Sequence, residues 1–133
     1  MRLTSFKVRV TTTGSAGVAT GNALSAPFSG RILNVTLYPH ASLPATADTT
    51  ITITRDDNTS VDVETVATFT NIATITTRYP RREVSDSAGA SLAAANKTNV
   101  FTEMVTCHGV KVAVAQADAL TDAVIIEIVI AED

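Results

Sequence analysis

The sequence predicts an all-β chain: an antiparallel β-sandwich or barrel-like, jelly-roll-like single domain of about nine short strands. Three observations carry this. Threonine, valine and isoleucine number 22, 15 and 9 among 133 residues, and stiff β-branched side chains suit a pleated surface better than a helix. Apolar and polar residues alternate with period two along most of the chain. Turn residues interrupt that alternation roughly every 8–12 residues, as sandwiches and barrels require.

The elements follow in order. Phe6-Lys7-Val8-Arg9-Val10 alternates as a strand with one buried face, and Gly14-Ser15-Ala16-Gly17 is a turn. Val18–Thr20 and Ala23–Phe28 read as a weaker pair of strands. Ser29-Gly30 turns into Arg31–Tyr38, where Leu33, Val35 and Leu37 share one face and Arg31 and Thr36 the other. Pro39 has no N–H to donate and ends that strand; 40–48 is a loop containing Pro44. Thr49–Arg55 sets Ile51 and Ile53 on the core face. Asp56-Asp57-Asn58 makes a hairpin turn, and Val61 and Val63 return on its partner, with Asp62 and Glu64 on a solvated face.

Ile72–Tyr79 is a further strand stopped by Pro80. Residues 81–99 form the main irregular stretch; Ala88 to Asn96 has alanine enough for one helical turn, but Gly89 and the lack of an amphipathic stripe favour a long surface loop. Val100–Cys107, Val110–Ala115 and Ala123–Ile130 close the chain. The last is apolar on both faces except at Glu127, which predicts a central strand or one covered by a partner. The 133 residues form one domain, 1–133.

Net charge of −3, with ten basic against thirteen acidic residues, is the wrong balance for neutralising phosphates, so no nucleic-acid partner is expected. No apolar run approaches the roughly 20 residues of a membrane-spanning helix, and no membrane partner is expected. Met1-Arg2-Leu3-Thr4-Ser5 leads into strand alternation without the apolar core of a signal peptide. Cys107 has no second cysteine with which to bridge within the chain.

Catalytic and cofactor chemistry find little to stand on. Cys107 and His108 are adjacent, and on a strand they face opposite sides, so they form no nucleophile–base pair. With His40 isolated, zinc lacks ligands. Asp56, Asp57, Asn58 and Asp62 faintly suggest a calcium loop, but the glycine and terminal glutamate of an EF-hand are missing. Gly14, Gly17 and Gly21 do not match a phosphate-binding glycine pattern. The reading is therefore no enzyme, no metal and no cofactor.

One cluster stands out. Arg78, Tyr79, Arg81 and Arg82 surround Pro80 in an otherwise acidic chain. Glu83 and Asp86 follow at once, so a solvated, partly self-paired patch is one reading. The other is a protein-contact anchor, because arginine and tyrosine dominate interface hot spots.

The stretches Ser25-Ala26-Pro27-Phe28-Ser29-Gly30-Arg31-Ile32-Leu33, Ala47–Ile53, Arg78-Tyr79-Pro80-Arg81 and Gly109–Gln116 resemble small β-rich virion proteins of tailed bacteriophages, from about Thr11 to Ile130. Thr106-Cys107-His108-Gly109-Val110 and the acidic Gln116–Asp122 turn depart from that pattern. The resemblance implies a capsid decoration or cement protein on the outer face of the virion, made in the host cytoplasm. It implies the major capsid protein as partner and a homo-oligomer, a trimer first. The alternatives are a head–tail connector or tail-associated protein and, from another class, a non-catalytic carbohydrate- or ligand-binding β module; against the last, the chain has no tryptophan and two tyrosines.

Overall fold

Two antiparallel sheets lie face to face in the computed structural model, which describes residues 1–54, 62–83, 88, 101–106 and 108–132, with the main chain alone at 62, 63 and 83. Ten strands are described: β1 (Arg2–Val10), β2 (Ala19–Leu24), β3 (Gly30–Pro39), β4 (Asp48–Thr54), β5 (Asp62–Phe69), β6 (Thr76–Arg78), β7 (Arg81–Glu83), β8 (Phe101–Thr106), β9 (Val110–Ala117) and β10 (Val124–Glu132). The larger sheet runs β1-β10-β3-β8-β7, with β6 also on β3, and the smaller runs β2-β9-β4-β5. The fold is all-β and sandwich-like, as the β-branched excess predicts, with no helix among the described residues.

The alternation explains the core. Val8, Val10, Ile32, Val35, Leu37, Met104, Ile126, Ile128 and Ile130 come from the larger sheet; Ile51, Ile53, Phe69, Val110, Val112 and Val114 answer from the smaller, and all join one buried cluster. Each such side chain contributes roughly 1.5–3 kcal/mol on leaving water. β10 lies between β1 and β3, the central position its double-apolar pattern predicts. Its outward Ile125 and Val129 are half-buried, flanked by Arg9 and Tyr38 and by Ser5 and Asn34. The chain's own neighbours thus supply part of the cover that the pattern demands.

Several expectations are corrected. Leu33 does not share a face with Val35 and Leu37. Val129 pairs with Asn34 but Ile130 with Ile32, so one extra residue bulges from β3 and reverses the parity. Ile32 takes the core place instead. Where two strands were expected across 18–28 there is one, β2, and residues 25–29 leave the sheet. The strand expected over 72–79 contracts to β6. Part of the irregular stretch is a strand, β7, on the edge beyond β8. Glu64 stands opposite core Ile53, because β5 carries an extra residue at Val66, but its side chain stays 36% exposed. The turn at Asp56, Asp57 and Asn58, Cys107 and all but Ala88 of the alanine-rich stretch lie outside the described residues.

Candidate functional surfaces

The arginine cluster is dispersed by the path of the chain. β6 pairs with the second half of β3 and β8 with the first half, so both lie along one side of β3. After Arg78 the chain steps over Tyr79 and buried Pro80 to the far side of β8, where β7 begins. Arg78 is opposite buried Val35, and its guanidinium lies 5.5 Å from the ring centre of Phe69 on β5. Arg82 Nε stands 3.9 Å from Glu64 Oε1, also on β5. Both residues therefore span from the larger sheet to the edge strand of the smaller one.

Arg81 turns the other way. It is opposite Glu103, and its Nη1 donates to the Pro80 carbonyl at 2.6 Å and to the Leu33 carbonyl at 3.5 Å. Leu33 is the bulged residue in the gap between β6 and β8, so Arg81 ties down the main chain there. Tyr79 is 66% exposed at the step. The four predicted residues thus do not share one surface: Arg78 and Arg82 face the sandwich edge, Arg81 lies on the outer face, and Tyr79 stands between.

The outer face holds more than the arginine cluster suggested. Leu3, Ala131, Arg31 and Val105 form a row across β1, β10, β3 and β8. Leu3 and Val105 are 60% and 64% exposed, and Phe101, two pleats along β8 from Val105, is 49% exposed. Between them Arg31 Nη1 contacts Glu103 Oε2 at 3.0 Å. A shallow depression of about 650 Å³ opens here, lined in part by Met1, Arg2, Gly30 and Glu132. Arg2 donates to Glu132 Oε2, from Nε at 2.9 Å. That bond holds the Glu132 carboxyl below its ordinary value, against a smaller opposing effect of desolvation. In sequence the signal was present: Phe101 and Val105 share one face of β8 with Glu103, while Met104 lies on the other, so each face carries apolar residues.

A second surface opens along the edge of the sandwich where β1 and β2 are, among the described residues, the outermost strands of their sheets. Thr11–Thr13 crosses close to Thr20–Gly21, joined by Thr13 N–H to the Thr20 carbonyl at 2.9 Å and the reverse bond at 3.0 Å. From there the strands diverge, and Phe6 meets Phe28 with ring centres 4.8 Å apart. Between them lies a groove of about 500 Å³ lined by Phe6, Val8, Ala23, Leu24, Pro27 and Phe28, with Lys7 and Arg9 also contributing. Nothing in the alternation alone could place two strands of different sheets side by side.

Among the described residues no group of three or more His, Cys, Asp or Glu is arranged to hold a metal ion. His40 accepts the Ser42 N–H at Nδ1, 3.0 Å, within its own turn. His108 donates its backbone N–H to Thr106 Oγ1 at 2.9 Å. No protein-family model matches the chain, and no curated protein is similar to it.

Proposed function

We propose that this chain is a non-catalytic structural protein that docks through the outer face of its larger sheet. Following the resemblance of its sequence, we take it to be a capsid decoration or cement protein of a tailed bacteriophage, contacting the major capsid protein. The observation that carries the docking reading is the set of uncovered apolar side chains, Leu3, Val105 and Phe101, grouped on one face about the Arg31–Glu103 pair. Grouped exposed apolar side chains mark an interaction site, and aromatic residues and arginine are enriched at protein interfaces.

Within that reading the arginines divide. Arg81, with Tyr79, borders the docking face and is assigned to the contact; Arg78 and Arg82, which turn toward Phe69 and Glu64 of β5, are not. A trimer follows from the resemblance, and light scattering is expected to give three times the 13.9 kDa chain mass; a monomer at every concentration, with no assembly on particles, overturns it.

The direct test is mass spectrometry and cryo-EM of purified particles, which should find the chain in many copies on the outside of the head. Density only at the neck or tail would favour the connector reading. Binding to particles that lack the protein tests the face itself. Val105→Glu should abolish occupancy at an unchanged melting temperature, and Arg81→Ala should weaken it by about tenfold or more. Full occupancy by both variants removes the assignment.

A further inference from the structure

We infer that the groove between β1 and β2 is a docking site for an extended peptide strand whose side chains alternate apolar and acidic. The strand would pair with the free edge of β1. This site uses the free edge of β1 rather than the outer face that carries Leu3, and does not depend on the docking face proposed above.

Three features specify the occupant. The first is the main chain. β1 pairs with β10 along nine residues, from Arg2 opposite Glu132 to Val10 opposite Val124, and among the described residues no strand pairs with its other edge. Half of its N–H and carbonyl groups therefore face outward, the template on which strand addition works.

The second is the floor. Side chains of an added strand that point toward the smaller sheet would enter the groove. Phe6, Ala23 and Phe28 are partly buried there against the core, so the incoming side chains would extend that core. Apolar residues at every second position meet this requirement.

The third is charge. The two charged residues that line the groove, Lys7 and Arg9, are both cationic. They project from the outer face of β1, in register with Glu127 and Ile125. Arg9 reaches Asp122 only at 3.4 Å, with both side chains substantially exposed. On an added strand the neighbours of Lys7 and Arg9 are the outward side chains, and carboxylates there complete cross-strand ion pairs. The same charges disfavour a second copy as occupant, because its β1 would bring Lys7 and Arg9 against Lys7 and Arg9.

The test uses the full chain, isotope-labelled, and three synthetic octapeptides. One alternates leucine and glutamate, one alternates leucine and lysine, and one is the glutamate peptide with proline at a central position. Amide chemical shifts and hydrogen exchange are followed by NMR. The glutamate peptide should bind below ~1 mM, with shifts confined to β1, β2 and 25–28 and with slowed exchange at alternate β1 amides. The lysine and proline peptides should bind at least tenfold more weakly. In Lys7→Glu/Arg9→Glu the preference between glutamate and lysine should reverse; both substitutions are at exposed positions, and an unchanged spectrum elsewhere confirms folding. The inference is overturned by absent β1 shifts at ~1 mM glutamate peptide, by equal binding of the proline peptide, or by dodecanoate producing the same shifts more tightly than any peptide. That last result would make the groove a site for anionic amphiphiles.

Discussion

Gly21 is the point on which the separation of β1 from β2 turns, and replacing it with alanine should be among the costliest single-methyl changes in the molecule. A Cβ built there falls inside the contact envelope of the Thr11 carbonyl, 3.0 Å from its carbon and 3.2 Å from Thr12 Cα. These are main-chain atoms, so no side-chain rotation relieves the clash. Nor can Thr11–Thr13 withdraw freely. Thr12 donates its N–H to the Leu120 carbonyl at 3.0 Å and its hydroxyl to the Asp118 carbonyl at 2.5 Å. Thr13 and Thr20 exchange both main-chain bonds.

Overpacking of this kind costs roughly 1–3 kcal/mol, and each hydrogen bond stretched adds about 1 kcal/mol. The smaller conformational freedom of alanine in the unfolded chain returns roughly 0.4–1 kcal/mol. The net expectation is a loss of about 3 kcal/mol, which in a domain of this size lowers the melting temperature by roughly 10 °C. Gly17→Ala is the control. Nothing lies within 4 Å of its Cβ, but its φ is +77°, so it should cost only about 1–2 kcal/mol of backbone strain. Thermal unfolding followed by circular dichroism measures both. If Gly21→Ala melts within about 2 °C of the parent, or less steeply reduced than Gly17→Ala, the close approach does not hold the crossing together.

Three further outcomes are expected. Thr49 is 1% exposed and its hydroxyl has no hydrogen-bond partner among the described residues, so Thr49→Val should gain about 1 kcal/mol and raise the melting temperature; a fall would mean that the hydroxyl is satisfied in solution. The Glu132 carboxyl is held below its ordinary 4.5 by Arg2. The stability it contributes is therefore present above pH 4.5 and lost as pH falls through the lower folded value. Glu132→Gln should melt below the parent at neutral pH and converge on it in acid; a gap constant across that range refutes the assignment. Arg82→Ala and Glu64→Ala should each change stability by no more than about 1 kcal/mol, because at 3.9 Å and with both side chains well exposed the pair is weak. Neither should alter binding to particles, which separates Arg82 from Arg81.

The composition and the alternation by themselves determined the fold class and most strand positions, and narrowed β10 to a central strand or one covered by a partner; the pairing with β1 and β3 decided for the first. Fold class and strand positions rest on local properties: β-branched residues fit a pleat, period two selects the face, and Pro39 ends its strand wherever the strand lies. Local pattern also set Ile51 and Ile53 on the core side, where they are buried. It failed where a single extra residue changed parity. The bulge at Leu33 and the extra residue at Val66 are imposed by pairing with strands far away in sequence, and no alternation records them.

The candidate surfaces divide in the same way. Arg78, Tyr79, Arg81 and Arg82 were conspicuous in sequence, yet adjacency along the chain did not make them one surface. The step from β3 to the far side of β8 sends Arg78 and Arg82 toward β5 and Arg81 toward the outer face. The groove between β1 and β2 had no sequence signal at all. It exists because two strands joined by the Gly14–Gly17 turn enter different sheets, are pinned where Gly21 passes Thr11, and then part. Which edges of two stacked sheets end up beside one another is decided by strand order, and strand order is a property of the whole chain's packing rather than of any segment in it.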